Sequence, residues 1–155
     1  ILSKRSAGLL VYKRAGEGLQ VLLVHPGGPF WAKKDDGVWS IPKGEYGADE
    51  APLSAARREF AEELGIVPRG DCHALGEVKQ RGGKIVTAFA LESDLEISII
   101  KPGAFEMEWP PKSGRRQSFP EVDRVAWFSP EDARVKILES QRDFIDRLLA
   151  LVAKS

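Results

Sequence analysis

The chain has 155 residues, 43% apolar and 30% charged, with 23 Lys+Arg against 23 Asp+Glu and a formal net charge of +0. That length fits one compact domain, residues 1–155, able to fold on an apolar core without a metal or disulfide staple. The neutral balance argues against a broad DNA- or RNA-tracking surface. The longest apolar runs fall far short of the roughly 20 residues that span a bilayer, and the lone Cys72 can form no internal disulfide. No basic-then-apolar signal segment opens the sequence, so a cytoplasmic protein is expected, monomeric or homodimeric.

In chain order, Ala7–Tyr12 and Gln20–His25 are apolar, β-prone runs separated by Arg14-Ala15-Gly16-Glu17-Gly18, which predicts a hairpin. Pro26 to Gly37 reads as an exposed loop that carries Phe30 and Trp31, and Val38–Ile41 as a short strand stopped by Pro42. Glu50–Leu64 is the clearest helix, with Pro52 in its first turn and Gly65 as its stop. Leu75–Gln80 and Ile85–Leu91 flank Arg81-Gly82-Gly83-Lys84 and predict a second hairpin. Phe105–Trp109 and Val125–Phe128 are further strand candidates, joined by a Pro/Gly/Lys/Arg loop from Pro110 to Pro120. Ser129-Pro130-Glu131-Asp132 has the form of a helix start, and a last amphipathic helix carries Leu138, Phe144, Ile145, Leu148, Leu149 and Val152. Strands with helices before and after them predict a layered α/β (α+β) domain.

On a helical wheel at about 100° per residue, Leu53, Ala56, Phe60 and Leu64 share one arc of the predicted helix and can dock on a sheet. Glu59, Glu62 and Glu63 fall on another arc, with Arg58 at its edge. Carboxylates at this spacing repel one another, and two lie in the last turn, where the helix dipole disfavours negative charge. Two readings follow: a solvated acidic face, or hard oxygen ligands for a divalent cation such as Mg²⁺ or Mn²⁺.

The segment ahead of the helix weights the second reading. Gly44, five residues, Glu50, seven residues, then Arg58-Glu59-Phe60-Ala61-Glu62-Glu63-Leu64-Gly65-Ile66 resembles the complete Nudix box. The strand pair before it, the lead-in Trp39-Ser40-Ile41-Pro42-Lys43-Gly44, and the Trp127-Phe128-Ser129 strand end followed by a short helix also look like that family. One departure is Asp49, where many relatives carry glycine.

The resemblance implies a single α/β/α sandwich with a mixed sheet, and a metal-dependent enzyme that cuts a phosphoanhydride with water. By the same match, Glu59, Glu62 and Glu63 ligate Mg²⁺ (or Mn²⁺) with the Gly44 carbonyl nearby, and Arg58 pairs with Glu50. Glu62 or Glu63 is the first choice of general base and Glu121 the best candidate outside the box, ahead of Glu106 and Glu108. Pro42-Lys43-Gly44 resembles the lead-in of family members acting on dinucleoside polyphosphates and diphosphoinositol polyphosphates. Lys43, and Arg115 and Arg116 with Lys112, are therefore candidate phosphate contacts, and Phe30 and Trp31 candidate base-stacking side chains. For each of these the alternative is an ordinary solvated loop or core-covering residue. His25 and His73 read as structural, and Cys72 as an inert buried thiol. The leading expectation is a small-molecule nucleoside polyphosphate substrate. ADP-ribose or another nucleotide sugar, a diphosphoinositol polyphosphate, and a non-catalytic nucleotide-binding regulator are the alternatives.

Overall fold

Strand β1 (Arg5–Ala15) is buried along most of its length, which is the burial expected of a strand covered on both faces. The computed structural model, which describes residues 4–16 and 18–154, shows how that is achieved. β1 pairs antiparallel with β2 (Gly18–Pro26), as the first predicted hairpin requires; Glu17, in its connection, lies outside the described residues. β4 (Cys72–Lys79) and β5 (Ile85–Glu92) form the second predicted hairpin, and β5 lies parallel to β1. β8 (Val122–Phe128) closes the other edge against β2, giving the order β4-β5-β1-β2-β8, and the short β3 (Lys43–Glu45) pairs with the first residues of β1.

Alternation along the central strands sorts the core into two layers. Leu10, Val21 and Leu23 face α2 (Pro130–Lys136) and α3 (Arg142–Ala153), packing with Ala133, Phe144, Ile145 and Leu148. Ala7, Leu9, Val11, Leu22 and Val24 face α1 (Pro52–Leu64), packing with Ala55, Ala56, Phe60 and Leu64. This is the expected α/β/α sandwich with a mixed sheet.

Four local expectations need correction. The helix begins at Pro52, two residues later than the expected Glu50, because the residue before a proline is driven to extended backbone: Ala51 has φ −69° and ψ 143°. Glu50 therefore stands in the turn ahead of α1, its N–H donating to the Gly47 carbonyl. Val38–Ile41 makes only isolated bridges, Ser40 to Val24 and Trp39 to Ile137, and the ladder forms instead at Lys43–Glu45. The Pro110–Pro120 segment is not all loop: Arg116–Pro120 is a strand, β7, paired with β6 (Ala104–Glu108) in a separate two-stranded sheet. Phe105 opposite Phe119 supplies the cross-strand contact that its polar neighbours conceal. Leu138 precedes the last helix and reaches Trp39 through a backbone hydrogen bond.

Candidate active site

α1 delivers its acidic arc to the end of the sheet where β3 leaves it. Gly44 explains how close the two come. A Cβ built there would lie 2.0 Å from the Glu59 carboxyl carbon, so only a residue without a side chain lets Glu59 rest on this strand. At the other end of α1, Gly65 adopts φ 72° and its N–H caps the helix on the Ala61 carbonyl, as the sequence predicts.

Arg58 organises the acids. Its Nε and Nη2 donate to the two oxygens of Glu50 at 2.8 and 2.9 Å, a bidentate fork, while Nη1 donates to Glu59 at 2.8 Å and to Glu62 at 3.2 Å. This is the Arg58–Glu50 pairing that the resemblance implies. It holds the Glu50 carboxyl below the usual range and keeps Arg58 firmly charged. Glu63 turns the other way and accepts the Lys43 N–H at 3.2 Å. Burial, with Glu121 and Glu59 nearby, pushes Glu63 up to about 7 against the pull of the Lys43 N–H and charge.

Glu121 sits at the corner between β7 and β8, clamped by its own backbone. Its carbonyl accepts the Gly27 N–H at 3.0 Å and its N–H donates to the Gly103 carbonyl at 2.8 Å. Two glycines make this corner possible. A Cβ on Gly27 would lie 1.8 Å from the Pro120 carbonyl oxygen; one on Gly103 would lie 3.3 Å from both the Glu121 carboxylate and the Glu62 carbonyl of α1. Burial and the charges of Glu59 and Glu62 raise the Glu121 carboxyl. Burial, then Lys84, lowers the Lys43 ammonium against the opposing carboxylates.

Glu63, Glu121 and Lys43 line a cleft of about 350 Å³ with Trp31, Ile41 and Leu138. Lys43 and Trp31 are thus brought to the acids. Phe30 lies beside that wall, edge-on to Trp109 at 5.4 Å. Lys112, Arg115 and Arg116 stand on the exposed β6–β7 hairpin, Arg116 3.8 Å from Glu106, and none of them lines the cleft. Glu106 and Glu108 are exposed on β6, away from the cleft lining.

Sequence reading missed the buried scaffold behind the cleft. His25 is fully buried, with Nδ1 2.6 Å from Asp123 and Nε2 2.6 Å from the Lys34 carbonyl. A backbone carbonyl only accepts, so Nε2 carries a hydrogen. The ring ties the loop that bears Trp31 to the strand that begins beside Glu121, two walls of one cleft. This is the structural role that the sequence suggests, but its partners have no local signal. Cys72 is half-buried, and burial raises its thiol.

The NUDIX domain family model matches residues 2–148. The chain belongs to the Nudix family. Among solved structures, a chain similar to this one is the C. elegans Ap4A hydrolase in a binary complex. It has 21% identity, 98% of this chain and 99% of that one covered, and a TM-score of 0.68. The NUDIX domain of Shewanella oneidensis NrtR, complexed with ADP ribose, matches at 16% identity over 98% of this chain and 90% of that one, also at 0.68. The E. coli ORF135 protein matches at 21% identity over 98% and 94%, at 0.58. At these identities the likeness shows the Nudix fold. No protein with curated annotation matches the sequence. Among the described residues no helix is long and apolar enough to cross a membrane.

Nudix domains typically use a divalent metal. Among the described residues no three acidic, imidazole or thiol groups already enclose an ion, because Arg58 draws Glu59 and Glu62 to itself and Glu63 turns to Lys43. The donors nonetheless fit a hard cation in kind. They are carboxylates on one helix face, packed against the Gly44 backbone, with a further carboxylate at Glu121.

Proposed function

We propose that residues 1–155 act as one Nudix domain that hydrolyses a phosphoanhydride in a nucleoside triphosphate or dinucleoside polyphosphate, with Mg²⁺ or Mn²⁺. The observation that carries this reading is spatial. Four carboxylates lie within electrostatic reach of one another: Glu59 rests against Gly44, Glu62 is beside it on α1, and Glu63 and Glu121 line a cleft that also presents a cation, Lys43, and an aromatic ring, Trp31.

Glu59, Glu62, Glu63 and the Gly44 carbonyl are the residues that would hold the metal, with Arg58 and Glu50 fixing the orientation of the acids. Bound metal neutralises phosphate charge and acidifies water. The chain itself does the rest. The Glu63–Glu121 pair takes the proton of the attacking water as its oxygen bonds to phosphorus and the bridging P–O bond breaks, the electron pair leaving on the departing phosphate. Lys43 offers a point charge to a non-reacting phosphate, and Trp31, with Phe30 beside it, a face for a nucleobase. Glu62, exposed on Arg58, suits a metal ligand better than a base, since it does not line the cleft.

ADP-ribose is the second reading, favoured by the structural likeness to the NrtR domain complexed with that molecule. A hydrolysis screen over nucleoside di- and triphosphates, dinucleoside tetraphosphate and ADP-ribose, read by product identity, tests both. Metal-dependent cleavage of the polyphosphates supports the first reading; cleavage of ADP-ribose alone replaces it with the second.

A further inference from the structure

A second groove, of about 860 Å³, adjoins the cleft. Lys79, Gln80 and Arg81 of the β4–β5 turn form one wall, and Leu138, Glu139 and Ser140 the other. The two spaces are neighbours: Leu138 lines both, and Gly37 of the groove is followed in the chain by Val38 of the cleft. Leu138 is fixed between them by its N–H bond to the Trp39 carbonyl at 2.8 Å.

The charges on the turn wall are uncompensated. Acids on the strands beside it pair with other cations: Glu77 of β4 lies 3.6 Å from Arg5 and Glu45 of β3 lies 3.7 Å from Lys84. Lys79 and Arg81 are exposed and, among the described residues, have no carboxylate within 4.0 Å. Among the described residues the only acid lining the groove is Glu139, across from them. The turn has a fixed shape, closed by Gln80 N–H to the Lys84 carbonyl at 2.7 Å and Gly83 N–H to the Gln80 carbonyl at 3.0 Å. Gly82 and Gly83 take φ 85° and 90°, a backbone other residues rarely adopt. In a chain of zero net charge, two cations on a closed turn, facing a groove next to the cleft and without a carboxylate partner among the described residues, form a local anion-attracting site.

We propose that Lys79 and Arg81 form an anion subsite for the distal phosphates of an extended polyphosphate, reached from the cleft past Lys43 and Leu138. The subsite deepens the hydrolase reading and rests on it for the nature of the ligand. It assigns substrate length to the β4–β5 turn, and not to the Lys112–Arg116 hairpin that the sequence suggests.

The probe is inorganic tripolyphosphate, titrated calorimetrically at fixed ionic strength into wild type, Lys79→Ala/Arg81→Ala, Arg115→Ala/Arg116→Ala and Glu139→Gln. In parallel, kcat/KM is measured with Mg²⁺ for a nucleoside diphosphate, a triphosphate and a dinucleoside tetraphosphate. Removing one charge-assisted hydrogen bond weakens binding roughly tenfold, so the Lys79/Arg81 variant binds tripolyphosphate roughly ten- to hundredfold more weakly. Its kcat/KM falls most for the longest substrate and least for the diphosphate. The Arg115/Arg116 variant, which removes the same net charge, changes binding far less, and Glu139→Gln tightens it. Unaltered tripolyphosphate affinity in the Lys79/Arg81 variant, an equal loss in both double variants, or a loss of kcat/KM independent of chain length overturns the subsite. If binding depends on Lys79 and Arg81 but no nucleotide is hydrolysed, the subsite stands and the hydrolase reading fails. If nucleotides are hydrolysed with no dependence on these cations, the reverse holds.

Discussion

Glu63→Gln separates the electrostatic cost of the acid cluster from its function. The substitution keeps the shape of the side chain and an oxygen to accept the Lys43 N–H, and removes only the charge. In the folded chain Glu63 holds its proton up to about 7, whereas its ordinary value is 4.5. Between those values the folded protein retains a proton that the unfolded chain has released, so stability falls as pH rises through that window. At ~1.4 kcal/mol per pH unit the full effect is about 3 kcal/mol, absent at pH 4.5 and complete by pH 8. The variant has no such proton to lose. It should melt close to wild type at pH 4.5 and higher by roughly 6–12 °C at pH 8, both in chelator. Groups that the two proteins share, Glu50 with its lowered value among them, cancel in the difference. The repulsion between Glu63 and Glu121 is already contained in that effect. Scanning both proteins across this range by calorimetry is the assay. A difference that is constant with pH, or a variant that is less stable at pH 8, would refute the account of Glu63.

Arg58→Lys replaces the fork on Glu50 with a point charge and should lower metal affinity and turnover together, by roughly ten- to hundredfold; Mg²⁺ titrations of the rate check this. Gly44→Ala drives a methyl group into the Glu59 carboxylate and should cost about a hundredfold in kcat, measured alongside a melt to confirm folding. His25→Phe keeps a buried ring but strands the Lys34 carbonyl and Asp123, and should lower unfolding free energy by about 2 kcal/mol in urea titrations.

The parts of the molecule legible in sequence are those whose signal is local. Both hairpins show as apolar runs around short turns, and α1 as an apolar arc that docks on the sheet beside a separate acidic arc. The Glu50–Arg58 pair is readable only through the family pattern, since Glu50 lies outside the helix and no periodicity connects the two. β7 is hidden because Arg116-Gln117-Ser118 looks like a loop, and its pairing is decided by Phe119 meeting Phe105 across the ladder. Long-range closeness has no signature at all. The Gly27–Pro120 approach that sets Glu121, the His25–Asp123 link and the groove between the β4–β5 turn and Leu138 each join residues far apart in the chain.

The central claim is that the acids around Gly44 perform hydrolysis. The most direct test incubates wild type and Glu62→Gln with Mg²⁺ and a dinucleoside tetraphosphate or nucleoside triphosphate, resolving the products by chromatography. Wild type should release two phosphate-bearing fragments in a reaction abolished by chelator, and Glu62→Gln should be slower by a factor of about a hundred or more at saturating Mg²⁺. Cleavage by the variant at the wild-type rate, or by wild type at the same rate in chelator, would contradict the assignment of catalysis to this cluster.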